Sequence, residues 1–339
     1  MRPRVLLDMG NREGIPAEIW QPFTRVVEPV KIERQDPYTE DELIVALQGI
    51  QGLMKQGGRV PDLTRRVFEQ APDLQIVGMG TDRFGRGVDL EAAAEHGVKV
   101  VDTDNIASSG PVAEWDLAMM LICLRNAGAV YRQMMEGSET WAIAQNLDFV
   151  NGGLTGRKVG LVGCGHVGQR LVELLAPFRV DLKVYDPYLA EEVVARLGIV
   201  RGDLDAVLRH AEILVVQVPL TPKTRGLIGE RELGMLRRGA ILVNCSRGPV
   251  VDQQALIGRL QARELIAGLD VFDPEPLEKD SPLRTLPNAF ITPHIAWYAP
   301  NALHRYASAT IEEFIRFFKG EPLRYELTPR MVDIRWGRV

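Results

Sequence analysis

The stretch LVGCGHVGQRL, residues 161–171, places Gly163, Gly165 and Gly168 in GxGxxG spacing between a strand pattern and a helix pattern. In such a turn the first glycine permits the tight bend, the second lets the backbone approach a pyrophosphate, and the third lets the helix pack closely on the strand. The amino end of the helix also presents free amides and a positive dipole to phosphates. Glycine-rich turns are common, but this order of strand, glycines and helix predicts a dinucleotide site.

The next strand pattern, DLKVYD, ends in Asp186. This is the spacing at which an acidic residue accepts hydrogen bonds from the adenosine ribose. A carboxylate there would repel the additional phosphate of NADP, so the sequence predicts NAD as the cofactor. The alternative is a surface aspartate that begins the DPY turn.

Short apolar runs alternate with helical patterns on both sides of this motif. Continuous apolar strands separated by helices are typical of a parallel sheet covered on both faces, the doubly wound α/β class. Residues 1–107 repeat the pattern less clearly and predict a second, smaller α/β unit. The strand patterns are RVLLDMG, LQIVGMG, VKVVDT, KVGLVG, DLKVYD, EILVVQVPL, AILVNCS, LIAGLDVFD and AFITPH.

Between the two units lies GPVAEWDLAMMLICLRNAGAVYRQMMEG, residues 110–137, which reads as one long helix opened by Ser109, Gly110 and Pro111. Its apolar face is broad. The helix is expected either at a domain or subunit interface or in the core of one unit, and the pattern alone does not decide between them.

The bulk composition limits the classes of function. A chain of 339 residues with 46% hydrophobic residues, 25% charged residues and a net charge of −5 predicts a globular protein of two domains. Such a chain has no basic excess for a nucleic acid. Three scattered cysteines predict reduced thiols in the cytoplasm, and MRPRVLLDMG reads as a first strand instead of a secretory signal. The longest apolar block, residues 117–124, is much shorter than the roughly 20 residues that span a bilayer, so no membrane role is expected.

Three polar stretches follow strand patterns: NCSRGPVVD (244–252), LDVFDPEP (269–276) and TPHIAWY (292–298). Because ligands of open parallel sheets bind beyond the carboxyl ends of the strands, these loops are expected to meet the nucleotide in one cleft. Each residue has an ordinary alternative. Arg247 could lie on the surface, Glu275 could be a turn residue between prolines, and His294 could be a polar loop residue.

Together with VAEWDLAMML and VPLTPKTRGLIG, these motifs resemble, in order, those of the D-isomer-specific 2-hydroxyacid dehydrogenase family, over about residues 72–320. The resemblance implies two Rossmann-like doubly wound domains. A flavodoxin-like substrate domain, residues 1–107 and 297–339, would be split around an NAD-binding domain, residues 108–296. It also implies a homodimer built through the NAD-binding domains and the segment 111–150, which contains Trp141.

The resemblance assigns carboxylate binding to Arg247, acid/base chemistry to His294, its charge partner to Glu275, and recognition of the nicotinamide amide to Asp270. Chemistry supports these roles. A guanidinium clamps a carboxylate through two parallel hydrogen bonds, and an imidazole exchanges protons near neutral pH. A carboxylate on the other ring nitrogen would orient the imidazole and stabilise its protonated form.

Further contacts follow from the same resemblance, and no metal site is expected. The small-domain loop departs from the family, since GMGTDRFGRGVD (78–89) is longer and carries Arg83 and Arg86. Lys55 and Arg59 lie where the family's substrate loop is expected. The predicted substrate contacts are Lys55, Gly80, Thr81, Arg247 and Trp297. The predicted NAD contacts are Gly163, Gly165, His166, Val167, Gly168, Asp186, Pro219, Thr224, Cys245, Ser246, Asp270 and His294.

The sequence thus predicts an NAD-dependent oxidoreductase, similar to phosphoglycerate dehydrogenase, that interconverts a D-2-hydroxyacid and its 2-oxoacid. The expected partners are this small-molecule substrate and a second copy of the chain. The alternative is an NAD-binding regulatory or scaffold protein of the same fold, similar to a corepressor, without turnover.

Overall fold

The chain divides into two units in the computed structural model. The first comprises Met1–Ser108 and Ala299–Val339, and the second comprises Ser109–Tyr298. The structure describes residues 2–9, 15–79, 87–103, 108–140, 152–299, 302–336 and 338.

The described strands and α-helices alternate along most of the chain. In chain order they are β1 (Arg4–Asp8), α1 (Ala17–Val26), β2 (Glu28–Lys31), α2 (Glu40–Ala46), β3 (Gly52–Lys55), α3 (Arg65–Gln70), β4 (Ile76–Met79), α4 (Leu90–Glu95), β5 (Lys99–Asp102), α5 (Ser109–Leu124), α6 (Ala127–Glu136), β6 (Lys158–Val162), α7 (His166–Leu175), β7 (Asp181–Tyr185), α8 (Glu191–Leu197), β8 (Val200–Arg201), α9 (Leu204–His210), β9 (Ile213–Val216), α10 (Glu230–Met235), β10 (Ala240–Asn244), α11 (Gln253–Gln261), β11 (Leu265–Leu269), β12 (Ala289–Ile291), α12 (Ala302–Phe318) and α13 (Pro329–Trp336).

The first unit contains a five-stranded sheet in the order β2, β1, β3, β4, β5. All of its paired strands are parallel. This is the flavodoxin-like strand order, and it confirms the predicted doubly wound class. Both faces of the sheet are covered, because consecutive residues of β1 enter different apolar clusters: Val5 and Leu7 enter one, Leu6 the other.

The second unit contains a seven-stranded sheet in the order β12, β11, β10, β9, β6, β7, β8. All pairs are again parallel. The order reverses direction at β6, so the glycine motif after β6 lies at the switch point where doubly wound sheets bind nucleotides. The Rossmann-like arrangement predicted for this part of the chain is confirmed.

The carboxyl ends of six neighbouring strands in this sheet lie on one row. Tyr185 pairs with Val162, Val162 with Val216, Val216 with Asn244, Asn244 with Leu269, and Leu269 with Ile291. The residue that follows each of these is therefore brought to one edge of the sheet. We call these residues the strand-end row: Asp186, Gly163, Gln217, Cys245, Asp270 and Thr292.

The prediction of one long helix over 110–137 is wrong. The helix ends at Leu124, and Asn126 adopts a left-handed backbone conformation with φ of 47°, after which α6 begins. Helix α5 packs on α7, β10, β11 and β12, with Met119 and Met120 fully buried, so it is a core helix of the second unit. Helix α6 instead exposes apolar side chains: Val130, Tyr131, Met134 and Met135.

Candidate active site

The glycine turn after β6 is shaped by close contacts of backbone with backbone. Gly163 has φ of 92°, and a Cβ there would clash with the carbonyl oxygen of Gln217. A Cβ on Gly168 would lie 2.6 Å from the carbonyl oxygen of Gly163. A Cβ on Gly165 would meet no heavy atom within 4 Å. Two glycines of the motif are thus required by the fold, whereas Gly165 borders open space.

Helix α7 begins at this open space. Gly165 is its N-cap residue and makes no side-chain capping bond, and His166 and Val167 form its first turn. His166 is exposed and Val167 is half-buried. The first amides of a helix seek acceptors, and the open cradle at Gly165 fits the pyrophosphate of a dinucleotide.

Asp186 fixes the turn from the neighbouring strand. Its Oδ2 accepts a hydrogen bond from the backbone amide of Cys164 at 2.8 Å, and its Oδ1 accepts one from Tyr188 at 2.9 Å. It therefore begins the DPY turn and also contacts the glycine turn, so both interpretations of the sequence apply to its position. Its bond to the ribose stays a prediction.

The loop after β9 holds Pro219 and Thr224. The Thr224 hydroxyl donates to the carbonyl oxygen of Pro219 at 2.5 Å and accepts from the amide of Thr221 at 2.8 Å. These bonds close the loop on itself.

The loop after β10 holds Cys245, Ser246 and Arg247. The Asn244 side chain accepts from the amide and hydroxyl of Ser246, at 3.0 and 2.8 Å, and donates to the carbonyl oxygen of Arg247 at 3.0 Å. Arg247 is half-buried, and its Nη1 donates to the carbonyl oxygen of Ser246 at 2.5 Å. A Cβ on Gly248 would clash with the backbone of Phe272, so this loop is pressed against the one after β11.

Glu275 and His294 form a direct pair. The Nδ1 atom of His294 lies 2.9 Å from Oε2 of Glu275, and the two side chains are 38% and 37% exposed. The other carboxylate oxygen accepts from the amide of Phe272 at 3.0 Å. His294 has φ of 55°, a conformation that few residues other than glycine adopt. The pair leaves Nε2 of the histidine for another partner.

A cavity of about 600 Å³ lies beside this pair. Glu275 and His294 line it together with apolar side chains that include Phe272, Leu277 and Ile291. The pair is therefore accessible to a small molecule.

Asp270 holds the turn that carries the histidine. Its fully buried carboxylate accepts hydrogen bonds from the amides of Ile295 and Ala296, at 3.0 and 2.9 Å, and from the hydroxyl of Thr292. Its carbonyl oxygen accepts from the amide of His294 at 2.9 Å. Three of the roughly four acceptor positions of the carboxylate are thus used by the turn itself. Recognition of the nicotinamide amide by Asp270 stays a prediction.

Helix α5 contributes two polar side chains that the sequence analysis did not single out. The indole nitrogen of Trp115 lies 3.4 Å from the hydroxyl of Thr292. Asp116 is fully buried and accepts from Nε2 of Gln217, at 2.9 Å on Oδ1 and 2.7 Å on Oδ2. Burial raises the pKa of Asp116 to about 8, while hydrogen bonds from Cys245 and Gln217 oppose that rise. The only sequence signal for Asp116 is a carboxylate inside an otherwise apolar helix face.

The three cysteines are free and buried, and burial raises the pKa values of Cys123 and Cys164 to about 12. Desolvation also raises the pKa of Cys245. Thiols in this state are poor nucleophiles, so none of the three is suited to covalent catalysis. Among the residues that the structure describes, no cluster of three metal-ligating side chains is found.

Of the predicted substrate contacts, Lys55 ends β3 in the first unit and lies close to Gly87 and Asp62. Trp297 is 36% exposed and makes an edge contact with Tyr298. Arg59 is bound by the buried Asp8 at 2.9 Å, which gives it a structural role. Some predicted residues lie outside the described residues: Gly80, Thr81, Arg83, Arg86 and Trp141 of the predicted dimerisation segment.

The comparisons with known proteins agree with this geometry. Residues 117–296 match the sequence model of the NAD binding domain of D-isomer specific 2-hydroxyacid dehydrogenases. The chain is 33% identical over 303 residues to a D-3-phosphoglycerate dehydrogenase of Methanocaldococcus jannaschii, covering 88% of this chain and 55% of that protein's length. It is 30% identical over 328 residues to the glyoxylate/hydroxypyruvate reductase B of Yersinia pestis, covering 94% of this chain and 95% of that protein.

Among solved structures, the apo D-mandelate dehydrogenase of Rhodotorula graminis superposes with a TM-score of 0.80 at 25% identity, over 96% of this chain and 98% of that one. No helix in the described part of the chain is long and apolar enough to cross a membrane.

Proposed function

Because the chain belongs to the D-isomer specific 2-hydroxyacid dehydrogenase family, whose members are NAD-dependent oxidoreductases, we propose that it interconverts a D-2-hydroxyacid and its 2-oxoacid. The observation that carries the proposal is the pair of His294 and Glu275, 2.9 Å apart, on the loops that follow two adjacent strands of the NAD-binding domain. Arg247 follows the next strand of the same sheet.

His294 exchanges the substrate proton. With Nδ1–H donating to Glu275, the histidine keeps Nε2 for the oxygen on carbon 2 of the acid. In the reducing direction Nε2–H gives its proton to the carbonyl oxygen, and in the oxidising direction the free Nε2 takes the hydroxyl proton. Glu275, itself fixed by the amide of Phe272, keeps the ring in one orientation.

Arg247 binds the substrate carboxylate and polarises the adjacent carbonyl. A guanidinium forms two parallel hydrogen bonds to a carboxylate, which a lysine ammonium does not. Its bond from Nη1 to the carbonyl oxygen of Ser246 uses one of the five N–H donors that a guanidinium carries.

NAD, when bound, supplies the hydride chemistry at its nicotinamide ring. The chain would hold its pyrophosphate at Gly165 and the first turn of α7, and its adenosine ribose at Asp186. The loops that carry Pro219, Thr224, Cys245 and Ser246, together with Asp270, would surround the nicotinamide half.

The relatives suggest the substrate class. Two formate dehydrogenases are also 34% identical to the chain, but formate has no carbon 2 to carry a hydroxyl group. The three proteins compared above are named for phosphoglycerate, for glyoxylate and hydroxypyruvate, and for mandelate. All of these are 2-hydroxyacids or 2-oxoacids and differ only beyond carbon 2. Contacts of that distal group with Lys55, Gly80, Thr81 and Trp297 remain part of the proposal, as does the assignment of residues 1–107 and 297–339 to the substrate domain.

We also propose a homodimer in the cytoplasm. The exposed apolar side chains of α6 favour a covered surface there, and buried free cysteines are typical of a reducing compartment. Gel filtration with light scattering would test the dimer, and a monomer at micromolar concentration would contradict it.

The experiment that tests the function is the loss of NADH absorbance at neutral pH with glyoxylate, hydroxypyruvate, phosphohydroxypyruvate, pyruvate, 2-oxoglutarate and phenylglyoxylate. We expect at least one to be reduced, and Arg247→Gln to lower kcat/KM by about 10²–10³-fold. The matched control is Arg238→Gln, an exposed arginine of the same unit. Binding of NADH without reduction of any acid would favour the scaffold alternative.

A further inference from the structure

Asp116 connects helix α5 to two loops of the strand-end row. Both of its carboxylate oxygens accept from the Gln217 side chain, 101 residues later in the chain. Cys245 lies near this carboxyl, since a hydrogen bond between the two opposes the rise in the pKa of Asp116. Gln217 follows β9 and Cys245 follows β10, so one buried side chain binds the first residue of one loop and neighbours the first residue of the next.

Gln217 also contacts the glycine turn. Its carbonyl oxygen occupies the space that a Cβ of Gly163 would need, and its amide donates to Val162 at 2.7 Å. The residue thus lies between the turn that would hold the pyrophosphate and the helix that carries Asp116. These contacts fix its backbone against the glycine turn, so losing the bond at its side chain acts on the loop that follows β9 and leaves the turn in place.

Asp116 is costly to bury, because a carboxyl without solvent must find all of its hydrogen-bond partners in the protein. The neighbouring positions of the same helix face, Met119 and Met120, are apolar and fully buried, and they show what the core alone would accept. The polar group occurs where the helix meets the loops of the strand-end row.

We infer that Asp116 is a positioning residue for the nicotinamide half of the bound cofactor. By fixing Gln217 and Cys245 it sets the loops that hold the nicotinamide ring and aim Arg247. The inference rests on the proposed function for the location of the ring. In this proposal Asp116 contacts neither the substrate nor the adenosine half of the cofactor.

The test compares NADH with ADP-ribose, which has the same adenosine and pyrophosphate but lacks nicotinamide. Calorimetry on the full chain would measure both dissociation constants for the wild type, Asp116→Leu and Asp116→Asn. We expect Asp116→Leu to raise the dissociation constant of NADH by about tenfold or more and to change that of ADP-ribose by less than about twofold. Asp116→Asn, which keeps an acceptor for Gln217, should restore NADH to within about threefold of wild type.

Two further variants serve as a control for the substitution and as an alternative should the first variant not fold. Met120→Leu, a similar-sized change in the same buried face, should alter neither constant. Should Asp116→Leu fail to fold, Gln217→Met removes the same bond from the half-buried loop side and should give the same selective loss. Equal weakening of NADH and ADP-ribose, or unchanged NADH binding, would overturn the inference. Reduction of the 2-oxoacid panel by the wild type, measured on the same preparation, separates this failure from failure of the proposed function.

Discussion

The two halves of the strand-end row are held in different ways. After β6 the turn is set by glycines, because Gly163 and Gly168 have no room for a side chain. After β9 to β12 the loops are set by buried polar side chains, with Asp116 holding two loops and Asp270 holding the turn of His294. The glycine turn is limited by backbone atoms, including the carbonyl oxygen of Gln217, whereas the catalytic loops depend on side-chain bonds between residues up to 177 positions apart.

The difference indicates how each half should fail. A glycine turn fails when an atom is added, since the backbone oxygen in the way cannot move cheaply. A loop held by a buried polar side chain is destabilised when an acceptor atom of that side chain is removed, since a buried donor is left without its partner.

The largest effect should come from His294→Ala, which removes the group that exchanges the proton. The glycine turn and the buried polar side chains that hold the loops stay in place. We expect kcat to fall by about 10²–10⁴-fold, with an unchanged dissociation constant for NADH. His210→Ala is the matched control, since His210 lies in the same unit and bonds the carbonyl oxygen of Asp181. Unchanged turnover in His294→Ala would remove the acid/base role.

The next effect separates two glycines of one motif. Gly163→Ala should destabilise the fold by about 1–3 kcal/mol, because of its positive φ and the clash with Gln217. Gly165→Ala should lower the melting temperature less, through the poorer N-cap alone, but weaken the binding of NADH, because its methyl group would enter the space proposed for the pyrophosphate. Gly258→Ala, inside α11 with open space around it, is the control for the substitution itself. Wild-type NADH affinity in Gly165→Ala would place the pyrophosphate elsewhere.

A smaller effect is expected from Asp270→Asn. The amide replaces one acceptor oxygen with a donor that would face a backbone N–H, so unfolding free energy should fall by roughly 1–3 kcal/mol and kcat should fall as the histidine turn loosens. Asp273→Asn changes an exposed aspartate of the same loop and should alter neither. Denaturant unfolding would measure the stability and steady-state kinetics would measure kcat. A variant with wild-type stability would show that the Asp270 carboxylate does not stabilise the turn of His294.

The last effect concerns the pH dependence of stability, which should change in Asp116→Asn. The pKa of Asp116 is raised from 3.8 to about 8, so the folded state holds this proton more tightly than the unfolded state. Its contribution to stability is therefore complete below about pH 4 and is lost as the pH rises through about 8. Gln217, Cys245 and Asp270 act on the carboxyl from the neighbouring loops.

Melting temperatures at pH 5, 7 and 9 would test this prediction. The melting temperature of the wild type should fall more than that of Asp116→Asn over that range. The exposed Asp280→Asn should follow the wild type. Parallel curves for the wild type and Asp116→Asn would show that the carboxyl does not titrate there.

The sequence predicted best what is encoded locally. Helix α7 begins inside the quoted glycine motif, where the sequence predicts a helix, since the glycines and the apolar spacing share one stretch. The sequence patterns do not predict helix α1, which contains Pro22, a residue without the N–H of a helical hydrogen bond. The sequence patterns do not predict strand β3 either, because GLMK is short and begins with glycine. The structure shows why glycine is present: a Cβ on Gly52 would clash with the side chain of Phe314 in α12.

In the site, too, the sequence predicts local features better than contacts between distant parts of the chain. The family resemblance pairs Glu275 with His294, and the parallel sheet brings the two strand ends that carry them together. Asp116 could not be assigned to Gln217, since nothing in the order of the chain specifies which face of α5 meets which loop. Its role depends on packing across the whole unit.

The most direct test of the account is transfer of deuterium from NADH carrying deuterium at the reactive position of carbon 4. With the best 2-oxoacid of the panel, mass spectrometry and chiral chromatography of the product should show one deuterium on carbon 2 and the D configuration. His294→Ala and Arg247→Gln should both slow its appearance. Intact NADH binding without any deuterated hydroxyacid, or a product of L configuration, would contradict the account.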